Sequence, residues 1–141
     1  MRWEDLQAAE IGPAFEKANG ELHIMRSFMA SSNMPAAIKD SNGRILYCNN
    51  TAQKMWGLTL AKARGKTLAE VLDLSSKYDD DRQNKKVIRE KIPLVFFLLG
   101  TTNSGKVISY SLFKFVFYSS DFETLIGMFA LPTEFKKADD L

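Results

Sequence analysis

The sequence predicts an α+β domain with two early strands, a helical middle and three late strands. Three observations predict it. Residues 34–56, MPAAIKDSNGRILYCNNTAQKMW, read as strand, tight turn, strand and helix. Residues 58–91 carry a helix-capping box and then a helix with acids first and bases last. From Leu94 onward, three β-rich runs are separated by short turn segments.

Bulk composition narrows the function classes. A chain of 141 residues suits one domain with a proper core. Its 45% hydrophobic and 26% charged content is ordinary for a globular protein. Nineteen basic and 17 acidic residues leave a net charge of +2, too small to argue for a nucleic-acid surface. The single cysteine, Cys48, excludes an internal disulfide and an all-cysteine metal cage. The longest apolar run, Pro93–Leu99 with Ile92 ahead of it, falls far below the roughly 18 residues that span a bilayer. The start lacks a basic stretch followed by an apolar one, so no signal peptide is expected and the default location is cytoplasmic.

The elements follow in order. Residues 2–11 read as a short helix carrying Trp3, Leu6 and Ile11, interrupted by Gly12-Pro13. Pro13 suits the first turn of a second helix, where its missing N–H costs nothing. Along that helix Ile11, Phe15, Ala18, Leu22, Met25 and Met29 recur at alternating spacings of four and three. The seam is too short for a convincing coiled coil. Gly20 weakens the helix by about 1 kcal/mol relative to alanine. Ile24 and Phe28, four apart, make a second apolar edge. A helix apolar on two sides needs two partner surfaces, its own sheet and a second protomer. A homodimer is therefore expected through Ile11, Phe15, Leu22, Ile24, Met25, Phe28 and Met29; packing on its own sheet alone is the simpler alternative. Ser31-Ser32-Asn33 ends the helix, and Pro35 prevents its return.

Pro35–Lys39 and Arg44–Cys48 are the two strands of a hairpin, joined by Asp40-Ser41-Asn42-Gly43. Asn49 stands where a helix N-cap belongs, followed by Ala52, Met55 and Trp56 at helical spacing. Leu58–Arg64 reads as a loose helical turn, and Thr67 with Glu70 as a capping box. Asp79-Asp80-Asp81 opens a further helix whose end carries Lys85, Lys86, Arg89 and Lys91. That charge order complements the helix dipole, and the basic cluster reads as a solvated face rather than a phosphate site. Ile92-Pro93 ends the helix. Leu94–Leu99, Val107–Tyr118 and Phe122–Leu131 are the late strands, joined by hairpin-length segments Thr101–Gly105 and Ser119–Asp121. Gly100–Lys106 is one residue short of a phosphate-binding loop. However, Val107 follows in place of Ser or Thr, and a strand in place of a helix, so a hairpin turn accounts for it better.

Asp40–Gly43, Tyr47-Cys48-Asn49, Ala52 and Gly57, then Gly65-Lys66-Thr67-Leu68, resemble in order and spacing the PAS domain, a small sensor fold of signalling proteins. The resemblance covers about Pro35 to Glu134. It implies three segments: a helical cap and dimerisation segment (1–33), the PAS domain (34–134), and the start of a linker to an effector domain (135–141). It also implies one five-stranded antiparallel sheet, short helices over its concave face, and the N-terminal helix on its outer face. The family's strand register implies that Phe96, Leu98 and Gly100, then Ile108, Tyr110 and Leu112, then Leu125, Gly127, Phe129 and Leu131 face the concave side. With Trp56, this set (Leu131 and Gly100 apart) would touch a small, mostly apolar ligand, Tyr110 supplying the polar group; the alternative is a core these side chains fill themselves. Ile126, Met128 and Ala130 would then lie outside, under the N-terminal helix. Leu131-Pro132-Thr133-Glu134 stands where the family carries an Asp-Ile-Thr-like ending, with Leu131 replacing the acid.

Catalytic chemistry is sparse. His23 is the one histidine and lies off the heptad seam. Haem and flavin-photoadduct PAS domains take a ligand or a cysteine from the region matching residues 67–91, which holds no His, Cys or Met here. Cofactors are therefore not expected. Neither a Ser/His/Asp set, nor paired carboxylates at a cleft-like spacing, nor a metal-ligand cluster is visible, so an enzyme is not expected. The function implied is a non-catalytic cytoplasmic sensory module, the N-terminal input and dimerisation domain of a bacterial transcription regulator, without nucleic-acid or membrane contact of its own. The input domain of a sensor kinase and a ligand-free protein-interaction domain are the alternatives.

Overall fold

The computed structural model describes residues 21–75, 78–119 and 121–132. The elements run α1 (Glu21–Ala30), β1 (Ala36–Asp40), β2 (Ile45–Cys48), α2 (Asn50–Trp56), α3 (Leu60–Ala63), α4 (Leu68–Val71), α5 (Asp80–Glu90), β3 (Leu94–Thr101), β4 (Val107–Tyr118) and β5 (Thr124–Pro132). Ile11, Phe15 and Ala18 of the expected seam, and Thr133-Glu134, lie outside the described residues.

The five strands form one antiparallel sheet in the order β2-β1-β5-β4-β3. Local chemistry sets each corner. In the β1–β2 turn, the Asp40 carboxylate accepts the N–H groups of Asn42 and Arg44, both at 2.9 Å, and Gly43 takes φ +78°. Thr67 and Glu70 close the expected capping box at the start of α4. Gly100–Lys106 is the expected hairpin: the Thr102 N–H reaches the Lys106 carbonyl at 2.8 Å, and Val107 begins β4.

The sheet has a core on each face. On the inner face, under the helices, Ala37, Leu98, Ile108, Leu112, Met128 and Ala130 pack with Ala63, Leu68, Val71 and Leu72. On the outer face, Met29 of α1 packs with Ala36, Ile38, Phe117 and Leu125, edged by Leu22, Met25, Phe115 and Phe129. Burying side chains as large as Met29, Phe117 and Leu125 contributes roughly 1.5–3 kcal/mol each, which holds α1 against the sheet. Arg26 adds a guanidinium 5.0 Å from the Tyr47 ring centroid.

The register of β5 corrects the sequence reading. Leu125 and Phe129 belong to the outer core, and Gly127 shares their face. Leu131, two further along, lines an outer-face groove with Phe129. Met128 and Ala130 belong to the inner core, with Ile126 on the same face. Packing fixes this choice. Gly127 pairs with Phe115 on β4, and a Cβ at Gly127 would stand 2.2 Å from the Phe115 ring. The bare glycine is the floor on which that ring rests, between Phe113, Phe117 and Phe129.

Asn49 does more than cap α2. Its side-chain oxygen accepts the N–H groups of Ala52 (2.9 Å) and Ala36 (3.1 Å). Its amide donates to the carbonyls of Met29 (2.9 Å) and Met34 (2.8 Å). One buried amide thus ties the end of α1, the start of β1 and the start of α2. Asn49→Ala removes the side-chain partner of four backbone groups, of which the Met29 carbonyl keeps another contact, the Ser32 N–H at 3.1 Å, and is expected to cost at least about 2 kcal/mol in urea denaturation. Asn49→Asp, which keeps the acceptor and loses the donor, should also be destabilised.

Candidate functional site

Among the described residues, two places have the character of sites: an apolar groove outside the sheet and a buried charge cluster inside it. The groove, about 490 Å³, is lined by Phe28, Ser32, Met34, Val95, Ser111, Phe113, Phe129 and Leu131. Its wall on one side is α1. Phe28 is 60% exposed and meets Phe129 edge-on at 6.1 Å between ring centroids. Ile24, Val95, Phe97 and Leu99 are also exposed, the three strand residues on the outer side of β3.

The charge cluster sits between α5 and the inner face. Lys39 of β1 and Lys114 of β4 are both fully buried. They converge on the Asp80 carboxylate, Lys39 at 3.0 and 3.3 Å and Lys114 at 2.7 Å. Asn84, one turn along α5, donates to Asp80 at 3.1 Å and accepts from Lys114 at 3.1 Å. Tyr78 donates to Gln83, and the Lys114 ammonium lies 5.9 Å from the Tyr78 ring centroid and 5.5 Å from that of Phe96. The glycine of the β1–β2 turn closes the cluster: a Cβ on Gly43 would stand 2.8 Å from the Asn84 amide nitrogen.

Burial and mutual charge decide protonation here. Burial pushes Lys39 down, and Asp80 restores part of the shift. Burial and then repulsion from Lys39 push Lys114 down to about 7, against the pull of Asp80. Burial alone would raise Asp80, but the two lysines and their hydrogen bonds hold its carboxyl below the usual range. Burial and the Asp80 charge raise the Tyr78 hydroxyl, which stays protonated.

Of the residues expected to line an inner ligand site, Trp56, Phe96, Leu98, Ile108, Tyr110 and Leu112 do come together in or against the inner core. Leu125, Gly127 and Phe129 face the other way, so no single site contains the whole set. Of the expected dimer residues, Ile24 and Phe28 are exposed, Leu22 and Met25 are half-buried against the sheet, and Met29 is wholly inside its own domain. Met29 therefore presents no surface to a partner. Cys48 is buried, and burial pushes its thiol up to about 11, which leaves little reactive thiolate. Among the described residues there is no group of three or more His, Cys, Asp or Glu arranged for a metal ion. No helix among them is long and apolar enough to cross a membrane.

The sequence reading missed the charge cluster, although a signal was present. Ile108, Tyr110 and Leu112 read as inward-facing, and the same alternation continued by two residues places Lys114 inward.

A family model for the PAS fold matches residues 29–136. The chain belongs to the PAS family. Solved PAS domains share its fold at low sequence identity. The PAS domain of nitrogen regulation protein NR(II) from Vibrio parahaemolyticus is 8% identical with a TM-score of 0.64, covering 78% of this chain and 98% of that one. The PAS domain of Bordetella pertussis BvgS is 21% identical with a TM-score of 0.58, covering 86% and 91%. A PAS domain from a two-component sensor histidine kinase is 14% identical with a TM-score of 0.61, covering 80% and 96%. Comparison with curated proteins finds no match. In this PAS domain, then, the Asp40–Gly43 turn packs directly on a buried ion cluster.

The cluster makes a sharp energetic contrast testable. Asp80→Ala leaves two buried ammonium groups without a counter-charge and should cost about 3–5 kcal/mol. Lys114→Met removes the excess cation and leaves Lys39 paired with Asp80. Its stability at neutral pH should lie within about 1 kcal/mol of the unaltered chain, or above it. Urea denaturation of both variants measures the difference.

Proposed function

We propose that this PAS domain is a non-catalytic signal-input module that works as a homodimer through α1 and the outer sheet face. The carrying observation is the apolar surface left there: Phe28, Val95 and Leu131 are exposed around the groove, Ile24 edges an adjoining apolar depression that shares Phe28, Phe113 and Phe129 with it, and Phe97 and Leu99 are exposed beside Val95 on the same side of β3. A contiguous apolar patch of this kind is the usual mark of an association surface. A second copy covers it most simply, because a twofold axis places the same patch on both partners. Two of the solved neighbours come from a two-component sensor histidine kinase and a nitrogen regulation protein, which supports a signalling host for the module. A sensor kinase fits these neighbours better than the transcription regulator expected from sequence. Light scattering at tens of micromolar should show a dimer. Phe28→Glu puts a charge into the patch and should give a folded monomer, losing little more than about 1 kcal/mol of ring contact with Phe129. A monomer from the unaltered chain would sink the proposal.

A second reading is favoured by one observation. The Tyr110 hydroxyl, beside the inner core, has no hydrogen-bond partner among the described residues. A small apolar ligand carrying one polar group would use it, with Trp56, Phe96, Leu98, Ile108 and Leu112 around it. Such a ligand at a hundredfold excess over its Kd should stabilise the domain by about 2.7 kcal/mol in a thermal-shift series. Tyr110→Phe should weaken that binding by about 1 kcal/mol without unfolding the domain.

A further inference from the structure

Helix α5, DDRQNKKVIRE, has only Val87 and Ile88 as apolar residues. Most of its docked surface is polar: Asp80, Asn84 and Val87 are its buried residues. A helix with so narrow an apolar stripe gains little from hydrophobic burial, so its attachment to the sheet depends on the cluster at its first turn. That cluster spans three strands. β1 and β4 flank β5, and Lys39 and Lys114 stand opposite Ile126 and Met128 of β5. Asp80 reaches over β5 to hold both lysines at once.

One carboxylate cannot neutralise two buried ammonium groups. With both lysines protonated the cluster carries a surplus positive charge inside the fold, where uncompensated charge is costly. With one lysine neutral the charges balance, and the neutral amine still hydrogen-bonds. We propose that the Lys39–Asp80–Lys114 cluster is a proton-operated latch: taking up one proton loosens α5 from the sheet, and releasing it fastens α5 down.

The groups that face the cluster from each packed element support this assignment. β1 supplies Lys39 and β4 supplies Lys114. The approach to α5 supplies Tyr78, which stays protonated, and Asp79, which caps its own helix and is exposed. α5 supplies Asp80 and the neutral amides of Gln83 and Asn84. β3 supplies Phe96, β5 only apolar residues, and the β1–β2 turn Gly43. Among the described residues no second carboxylate approaches within ion-pairing distance of either lysine to offset the surplus.

The direction of the response is fixed by linkage. In the docked state Lys114 titrates near 7, whereas a released lysine titrates near 10.5. Between those values the released state binds more protons, so lowering the pH favours release, by at most about tenfold per pH unit. Below about pH 7 Lys114 is protonated in both states and the response levels off. A separate loss follows far into acid, where Asp80 gains its proton.

Hydrogen exchange on the whole 141-residue chain from pH 6 to 9.5, corrected for intrinsic exchange, tests the latch. Amides of residues 80–90 should open progressively more as pH falls toward 7 and then level off, while those in the middle of β4 change little. Lys114→Met should flatten the profile of residues 80–90. If that variant does not fold, Lys39→Met serves. It removes the repulsion, so the titration should move to higher pH and leave residues 80–90 flat between pH 7 and 8. Side-chain NMR of the unaltered chain should show at least one lysine titrating several pH units below the exposed ones. A flat profile, opening of every element alike, or all lysines titrating above pH 9 would overturn the proposal.

Discussion

A single carboxylate, Asp80, holds one helix to two strands that are not neighbours, and the inner architecture depends on it. An apolar helix could drift over a sheet with little change in energy, because hydrophobic contact is non-directional. A charge shared between two fixed ammonium groups allows one position. The cluster therefore sets where α5 sits, and the Asp40–Gly43 turn, pressed against Asn84, is set with it. Specificity of placement is bought with stability, since an apolar replacement of the same volume would often hold more firmly.

The two faces of the sheet are organised on opposite principles. The inner face combines a dense apolar core with one satisfied polar cluster; no buried side-chain polar atom is left without a partner there or elsewhere among the described residues. The outer face is aromatic and unfinished. Phe113, Phe115, Phe117 and Phe129 form a run of ring contacts between 5.8 and 6.2 Å, α1 covers one end of it, and the side toward β3 lies open. β1 is buried on both faces, which suits its small Ala36 and Ala37. Exposure on the outer side grows toward β3 at the far edge, where Val95, Phe97 and Leu99 lie in the open.

What could be read in the sequence was what local chemistry dictates. The Asp40–Gly43 turn, the Asn49 cap and the Thr67–Glu70 box each need only a few adjacent residues and formed where expected, and the Thr101–Gly105 connection formed with its turn closed at Thr102–Gly105, Thr101 ending β3. The face of β5 was not legible by alternation, because Leu125 to Leu131 is apolar or glycine at every position. There only the partner strand decides, through the Phe115 ring that needs a bare position opposite it. Lys39 and Lys114 were hidden for a related reason: a lysine in a strand ordinarily snorkels to solvent, and nothing near either in sequence reveals a carboxylate 41 or 34 residues away.

Asn49 gives the domain a stiff joint rather than a hinge. The segment between α1 and β1 is short, the Ser31 hydroxyl donates back to the Phe28 carbonyl at 2.9 Å, and the Asn49 amide clasps both Met29 and Met34. A torque applied to α1 finds no slack there to absorb it. It is delivered to the first residue of β1 and the first turn of α2 in the same stroke, so the helix on one side of the sheet is geared to a helix on the other.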